Sequence, residues 1–235
     1  MRNDITRNRL LQNLDPAELA LIEKNLKSVE MHTGDVLHSQ RSRIEKVYFP
    51  LSGMVSSLMM TDEGDAIETA AIGREGVVGG SAAVITDTAI TQTVVQLDGR
   101  ALAVPSSILV EACSKSMNFH DAMRRYEAVL TMQANQSSAC HALHSVAARL
   151  CRWLLHFHDF AETDEFSLTQ ETISHMLGVR RSSVSVAAHE LQHAGLITYS
   201  RGRIQILDRE GMEECACECY GAVRKFMEET LPRHH

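Results

Sequence analysis

The sequence predicts an α+β chain. An N-terminal helix and a jelly-roll-like β domain come first, then a long dimerisation helix, then a C-terminal pair of short helices closed by a β-hairpin. Three observations predict it. Between residues 34 and 105 apolar residues alternate or run in short stretches punctuated by glycine. From about residue 106 to 159 they recur at three- and four-residue steps. From Leu168 to Ile197 two short amphipathic patterns meet at a single glycine. The regions are placed at 1–115, 116–144 and 145–235.

The first element is read from "NLDPAELALIEKNLK". Asn13 or Asp15 caps a helix that Pro16 opens, with Leu19, Ile22 and Leu26 at helical spacing. Strands follow in "GDVLHS", "KVYFPLSGMVSSLMMTDEGDAIETAAIG" and "TQTVVQLDGRALAVP". Residues 62–65, "DEGD", read as a hairpin turn because Gly64 accepts a positive φ. Short strands at this spacing suggest a sandwich or barrel-like domain.

In the helical region, a stripe runs through Ala122, Tyr126, Val129, Met132 or Gln133, Gln136, Ala139 or Cys140, and Leu143. It is long and only weakly apolar. A helix packed on its own β domain would have such a stripe; the favoured reading is a two-fold dimer seam over 118–143. "SVAARLCRWLLHFH" then places Val146, Leu150, Trp153, Leu154 and Phe157 on one face. "ETDEF" reads as a polar linker.

Beyond it, Leu168, Ile173, Met176 and Leu177 form the apolar face of a helix capped by Thr169, with Thr172 and His175 outward. Gly178 ends that helix and Val179 is the buried pivot of the turn. In the second helix, at about 180–192, Val184, Ala187, Ala188 and Leu191 are the buried face. Helix, glycine turn and helix describe a helix-turn-helix, and "AGLITYSRGRIQILD" adds a wing that turns at Ser200–Arg203. The second helix of such a unit meets DNA with its N-terminal end. Arg180, Arg181, Ser182 and Ser183 stand there. Arginine pairs bidentately with guanine and serine bonds adaptably to bases or phosphate. The bland alternative has Ser182 capping the helix and the arginines merely solvated.

Charge agrees with the DNA reading only locally. The chain carries a net −7 at neutral pH, and residues 1–144 hold 13 Lys+Arg against 17 Asp+Glu. Residues 166–207 hold Arg180, Arg181, Arg201 and Arg203 against Glu171 and Glu190, a net +2. Local charge governs contact with phosphates. With 235 residues, 44% hydrophobic and 23% charged, the chain has the size and composition of a soluble globular protein of one or two domains. No apolar run reaches the ~20 residues of a membrane helix, and no signal-peptide pattern opens the chain. Cytoplasmic location and reduced thiols are therefore expected.

"LTQETISHMLGVRRSSVSVAAHELQHAGLITYSRGRIQILD" resembles the winged-helix reader of the Crp/Fnr family of bacterial transcription regulators. "GDVLHSQRSRIEKVYFPLSGMVSS" through "IGREGVVGG" is similar to that family's cyclic-nucleotide-binding-type β-roll. The resemblance covers nearly the whole chain, in the family's order. It implies a homodimer on a palindromic double-stranded DNA operator, with RNA polymerase as a partner and no membrane. By position it makes Arg181, Ser182 and Val186 base-facing and Arg180 and Ser183 phosphate-facing. The full DNA-facing set expected is Thr169, Arg180, Arg181, Ser182, Ser183, Ser185, Arg201 and Arg203. Members that bind cyclic AMP often carry Glu where Ser182 stands, so their target sequence does not transfer.

Members that bind cyclic nucleotides also carry a Glu for the ribose and an Arg for the phosphate, in a segment resembling 76–95. Here Gly80 takes the Glu position and no Arg lies between Arg74 and Arg100. Burying a phosphate without a cation costs on the order of several kcal/mol. The adenine-facing positions look like Ala134 and Asn135. Cyclic AMP is therefore not expected. Gly79, Gly80, Ser81 and Asn135 are the candidate pocket for a small-molecule effector that the sequence does not identify, and a plain tight turn is the favoured reading.

Cys215, Cys217 and Cys219 alternate, whereas zinc sites favour two to four residues between paired cysteines, and in a helix only Cys215 and Cys219 share a face. Iron–sulfur members of the family use an N-terminal set, and no Cys precedes Cys113. His141 and His144 share a helical face and read as polar surface, and His156 and His158 do not share one. No metal or cofactor is expected. The alternative function is a redox- or ligand-sensing regulator that uses cysteine or histidine. No Walker loop, GxSxG or HExxH occurs, and only His32 and His38 precede His120, so a cupin-like metal triad is missing and no enzyme is expected.

Overall fold

The computed structural model describes residues 2–161 and 163–231. Three short helices open the chain: α1 (Arg2–Ile5), α2 (Arg9–Gln12) and α3 (Pro16–Ala20). At α3, Asp15 accepts from the Glu18 amide (2.9 Å) while Glu18 accepts from the Asp15 amide (3.0 Å). This capping box satisfies two amides that a helix start leaves open. The helix is shorter than its spacing predicts. Ile22 and Leu26 are buried beyond its end, around a 3-10 turn at Glu23–Asn25.

The β domain holds β1 (Lys27–Met31), β2 (Val36–His38), β3 (Lys46–Pro50), β4 (Met54–Met60), β5 (Ala66–Ile72), α4 (Ser81–Val84), β6 (Gln92–Leu97) and β7 (Gly99–Pro105). Two antiparallel sheets form, in the orders β1-β7-β3 and β2-β6-β4-β5. Gly64 takes φ +92° in the β4–β5 hairpin, as the "DEGD" turn requires. The strand missed in the sequence is β1. "KSVEM" has weak alternation, and its place is fixed by pairing with the distant β7, Val29 opposite Ala101.

Helices α5 (Ser106–Lys115), α6 (Met117–Leu143) and α7 (Val146–Ala161) follow. The first part of the stripe read as a dimer seam packs instead on the chain's own β domain, while Cys140 meets Cys217 and Cys219 and Leu143 is exposed. Tyr126, Val129 and Met123 join Phe49, Leu102 and Val55 in one core. Gln133 bonds both ways to the Ala71 backbone, at 3.1 and 3.3 Å. The opposite face of α6, with Ala128, Thr131, Asn135, Ser138, Ala139 and Ala142, is exposed or half-buried.

The last part contains β8 (Glu165–Ser167), α8 (Gln170–Leu177), α9 (Arg181–His193), β9 (Ile197–Ser200), β10 (Arg203–Ile206), α10 (Arg209–Cys215) and α11 (Cys219–Thr230). "ETDEF" is only partly a linker. Glu162 lies outside the described residues, and Phe166 is buried in β8, which pairs with β10 to give the sheet order β8-β10-β9. A second core centres on Trp153, Phe157, Ile173, Leu177, Val184 and Leu191, and takes in Met54, Leu58 and Ala71 of the β domain. Trp153 Nε1 donates to Glu68 at 3.0 Å, and Ser56 bonds the other oxygen. Among the described residues no helix is long and apolar enough to cross a membrane.

Candidate nucleic-acid interface

Thr169 caps α8 by accepting from the Thr172 amide at 3.0 Å. Gly178 ends the helix in the left-handed conformation, φ +59°, ψ +44°. A β-carbon there would also press on Ile67 at 2.6 Å, because the turn rests on β5. Val179 is half-buried rather than a fully buried pivot. Helix α9 then buries Val184, Ala187, Ala188 and Leu191, the face expected.

The other face is open. Arg180, Arg181, Ser182, Ser185 and Val186 are exposed and Ser183 is half-buried. Arg180 takes the cap position with no side-chain cap bond, so Ser182 does not cap the helix. Arg181 Nε reaches Gln170 at 3.4 Å, and Gln170 reaches Ser185 at 3.4 Å, joining the two helices along this face. Among the described residues Arg180 and Arg201 have no ionic partner, while Arg203 pairs loosely with Glu165 at 3.5 Å.

The wing is held to the same face. Arg201 and Gly202 take φ +52° and +77°, the two positive angles of a primed hairpin turn. Tyr199 donates its hydroxyl to the Leu168 carbonyl at 3.0 Å, and Leu168 donates its amide to the Gly202 carbonyl at 2.7 Å. Burial pushes the Tyr199 phenol up, against the nearby charge of Arg181. Thr169, the start of α9 and the wing tip thus form one polar edge.

Residues 148–215 match the family model of the Crp-like helix-turn-helix domain. No curated protein matches the chain in sequence. Among solved structures, a regulator of the Crp/Fnr family from Eubacterium rectale is similar at 22% identity and TM-score 0.72, covering 89% of this chain and 98% of its own. FixK2 from Bradyrhizobium japonicum is similar at 16% identity and TM-score 0.68, covering 82% and 98%. A CRP/FNR-family regulator from Thermus thermophilus is similar at 20% and TM-score 0.67, covering 81% and 98%. At these identities the likeness is one of fold. The chain has the fold of these Crp/Fnr-family structures, a β-roll followed by a long helix and a C-terminal Crp-like helix-turn-helix.

In this fold the glycine segment is packed shut. Val77 and Val78 are fully buried, and Val78 exchanges backbone bonds with Tyr48 (2.8 and 3.0 Å). Gly79 has φ +82° and its β-carbon would meet His38 at 2.7 Å. Burial holds the His38 imidazole low, against a raising bond to the Lys46 carbonyl. Gly80 faces Glu127 of α6, whose carboxyl burial pushes up to about 7. Asn135 lies exposed on α6 two turns beyond Glu127, roughly 12 Å along the axis.

The cysteines are not arranged as their spacing suggests. Cys215 ends α10, the chain leaves the helix at Ala216, and Cys219 opens α11. Cys217 and Cys219 therefore come together, and Cys215 turns toward Cys151. Cys140, placed in the stripe of α6, and His144 at its C-cap, read as polar surface beside His141, join them instead. Their i, i+4 spacing on a helix was the available signal; pairing His144 with His141 hid it. The hydrogen bond from Cys217 holds the Cys140 thiol well below its ordinary range, and Cys217 is pushed up in turn.

Proposed function

We propose that the chain is a homodimeric, sequence-specific transcription regulator of the cytoplasm that reads a palindromic DNA operator with α9 and works without cyclic AMP. The observation that carries the reading is the open start of α9. Arginines and serines face solvent there while Val184, Ala187, Ala188 and Leu191 anchor the helix behind them. The uncapped first amides of α9 suit a phosphate. Arg181, Ser182 and Val186 would then read bases, with Arg180, Ser183, Ser185, Thr169, Arg201 and Arg203 on the backbone. RNA polymerase is the partner such a regulator would engage.

The small residues on the outward face of α6 support a two-fold helix–helix seam, since small side chains let backbones approach closely. Two readers would then meet half-sites about one helical turn apart, roughly 10 bp or a multiple. Against cyclic AMP stand the buried valines, the missing cation and the Glu127 carboxyl beside Gly80. A phosphate placed there would meet a buried acid.

Competition binding against a randomised operator at two salt concentrations tests the reading. Arg181→Ala is expected to cost ~1–3 kcal/mol on the selected site and to relax one base pair. Arg180→Ala should weaken all sequences alike and shallow the salt slope by about one. Unchanged binding in both variants, or a monomer by sedimentation with and without DNA, would overturn it. Calorimetry that found micromolar cyclic AMP binding would overturn the effector part.

A further inference from the structure

Cys140, His144, Cys217 and Cys219 bring four ligand atoms within 4.8 Å of one another. Cys140 Sγ lies 3.4 Å from Cys217 Sγ, and Cys219 Sγ lies 3.5 Å from His144 Nδ1. The three thiols are buried and none is in a disulfide. A tetrahedral zinc with Zn–S of ~2.3 Å and Zn–N of ~2.0 Å sets its ligands roughly 3.5–3.8 Å apart along each edge. We propose that these four residues bind one zinc ion, a closed Cys3His site that staples the end of α6 to the start of α11.

The surroundings are those of a metal ligand set. His144 offers Nδ1 inward while its Nε2 lies 3.2 Å from the Glu218 carboxylate, the partner that orients a ligating imidazole. Gln136 Nε2 points at Cys219 Sγ at 3.0 Å, a donor for a thiolate. Three thiolates and Zn2+ leave one negative charge. Arg149 and Arg152 are buried on α7, each with an Nε that has no hydrogen-bond partner among the described residues, and both act electrostatically on the cysteines. Their two positive charges offset that charge together with the Glu218 carboxylate's. The four atoms are too close together for the terminal ligands of a polynuclear iron–sulfur cluster. Thiolate-rich tetrahedral sets select zinc among the common divalent ions. On binding, the three thiols release their protons to solvent and no redox partner is needed.

The place of the site gives it consequence. Arg149 also donates to the Leu177 carbonyl, at the turn of the helix-turn-helix. The staple therefore sits where the long helix hands over to the reader, and zinc fixes the angle between them.

Metal analysis of the full chain, purified reduced and without chelator, should find one zinc per chain. Cobalt(II) added to the metal-free chain should give the intense visible bands of a tetrahedral site and a thiolate charge-transfer band. Cys140→Ser and Cys217→Ser should lose that spectrum, while Cys113→Ser and Cys215→Ser keep it. Because a cysteine variant can fail by misfolding, Glu218→Gln provides a milder arm, with zinc affinity expected to fall about 10–100-fold. An unchanged cobalt spectrum in Cys217→Ser, an octahedral spectrum, or a Cys140–Cys217 disulfide in the protein as isolated would each overturn the proposal, the last in favour of a thiol switch. Metal content is read without DNA, so loss of operator binding alone would count against the regulator reading and leave this one standing.

Discussion

The two halves of the chain treat their function-bearing surfaces in opposite ways. The helix-turn-helix turns a polar edge outward: Arg180, Arg181, Ser182 and Ser185 are exposed, held from behind by Val184 and Leu191. The β-roll turns the corresponding segment inward. Val77 and Val78 are fully buried, Gly76 admits the Tyr126 hydroxyl, and Gly80 meets Glu127. One half leaves its polar edge open to solvent, and the other is filled by its own side chains. The two halves meet where Trp153 bonds Glu68.

Breaking that contact should have the largest effect. Trp153 is buried against Phe157, ring centroids 5.5 Å apart, and bonds Glu68. Trp153→Ala should lower unfolding free energy by ~3–5 kcal/mol in urea titration, with the reader melting before the β-roll.

The same contact should respond to pH. Burial pushes the Glu68 carboxyl from 4.5 to about 7, against bonds from Ser56 and Trp153 and the charge of Arg152. The native state thus holds a proton that the unfolded chain gives up. Its contribution is fully present below pH 4.5 and is lost as pH rises through 7, on the order of 3 kcal/mol at most. Urea midpoints across that range should fall with pH in the parent chain and fall less steeply in Glu68→Gln, where Glu127 still titrates in the same window.

The filled half offers a smaller test. A β-carbon at Gly76 would collide with the Tyr126 hydroxyl, so Gly76→Ala should cost ~1–3 kcal/mol by thermal unfolding. If the segment were an open pocket, the change would be nearly neutral. The smallest effect is expected at the open edge. Thr169→Ala removes the α8 cap for ~1 kcal/mol of stability, and operator affinity should drop beyond what that loss explains only if Thr169 also meets phosphate.

The local structure of the helix-turn-helix was legible in the sequence. Its buried face, its Gly178 stop and its Arg201–Gly202 turn all lie within about forty consecutive residues and follow from helical period and turn chemistry. The strands of the β-roll were legible for the same reason, except β1, whose weak alternation is overruled by pairing with β7. Periodicity also found the length of α6, but it could not say which face meets what. A stripe of Met123, Tyr126 and Val129 suits another subunit or the chain's own core, and only the position of the β-roll decides.

What the sequence could not determine by itself is what long-range folding assembles. Cys140 and Cys217 are 77 residues apart, and the spacing within "CACEC" pointed to Cys215 and Cys219 as helical neighbours. The break at Ala216 instead sends Cys217 and Cys219 to the end of α6 and leaves Cys215 behind. Local spacing reports the side chains that one element can align, because backbone geometry sets that alignment over a few residues. A ligand set drawn from two elements depends on where packing of both cores brings their ends, and that is a property of the whole fold.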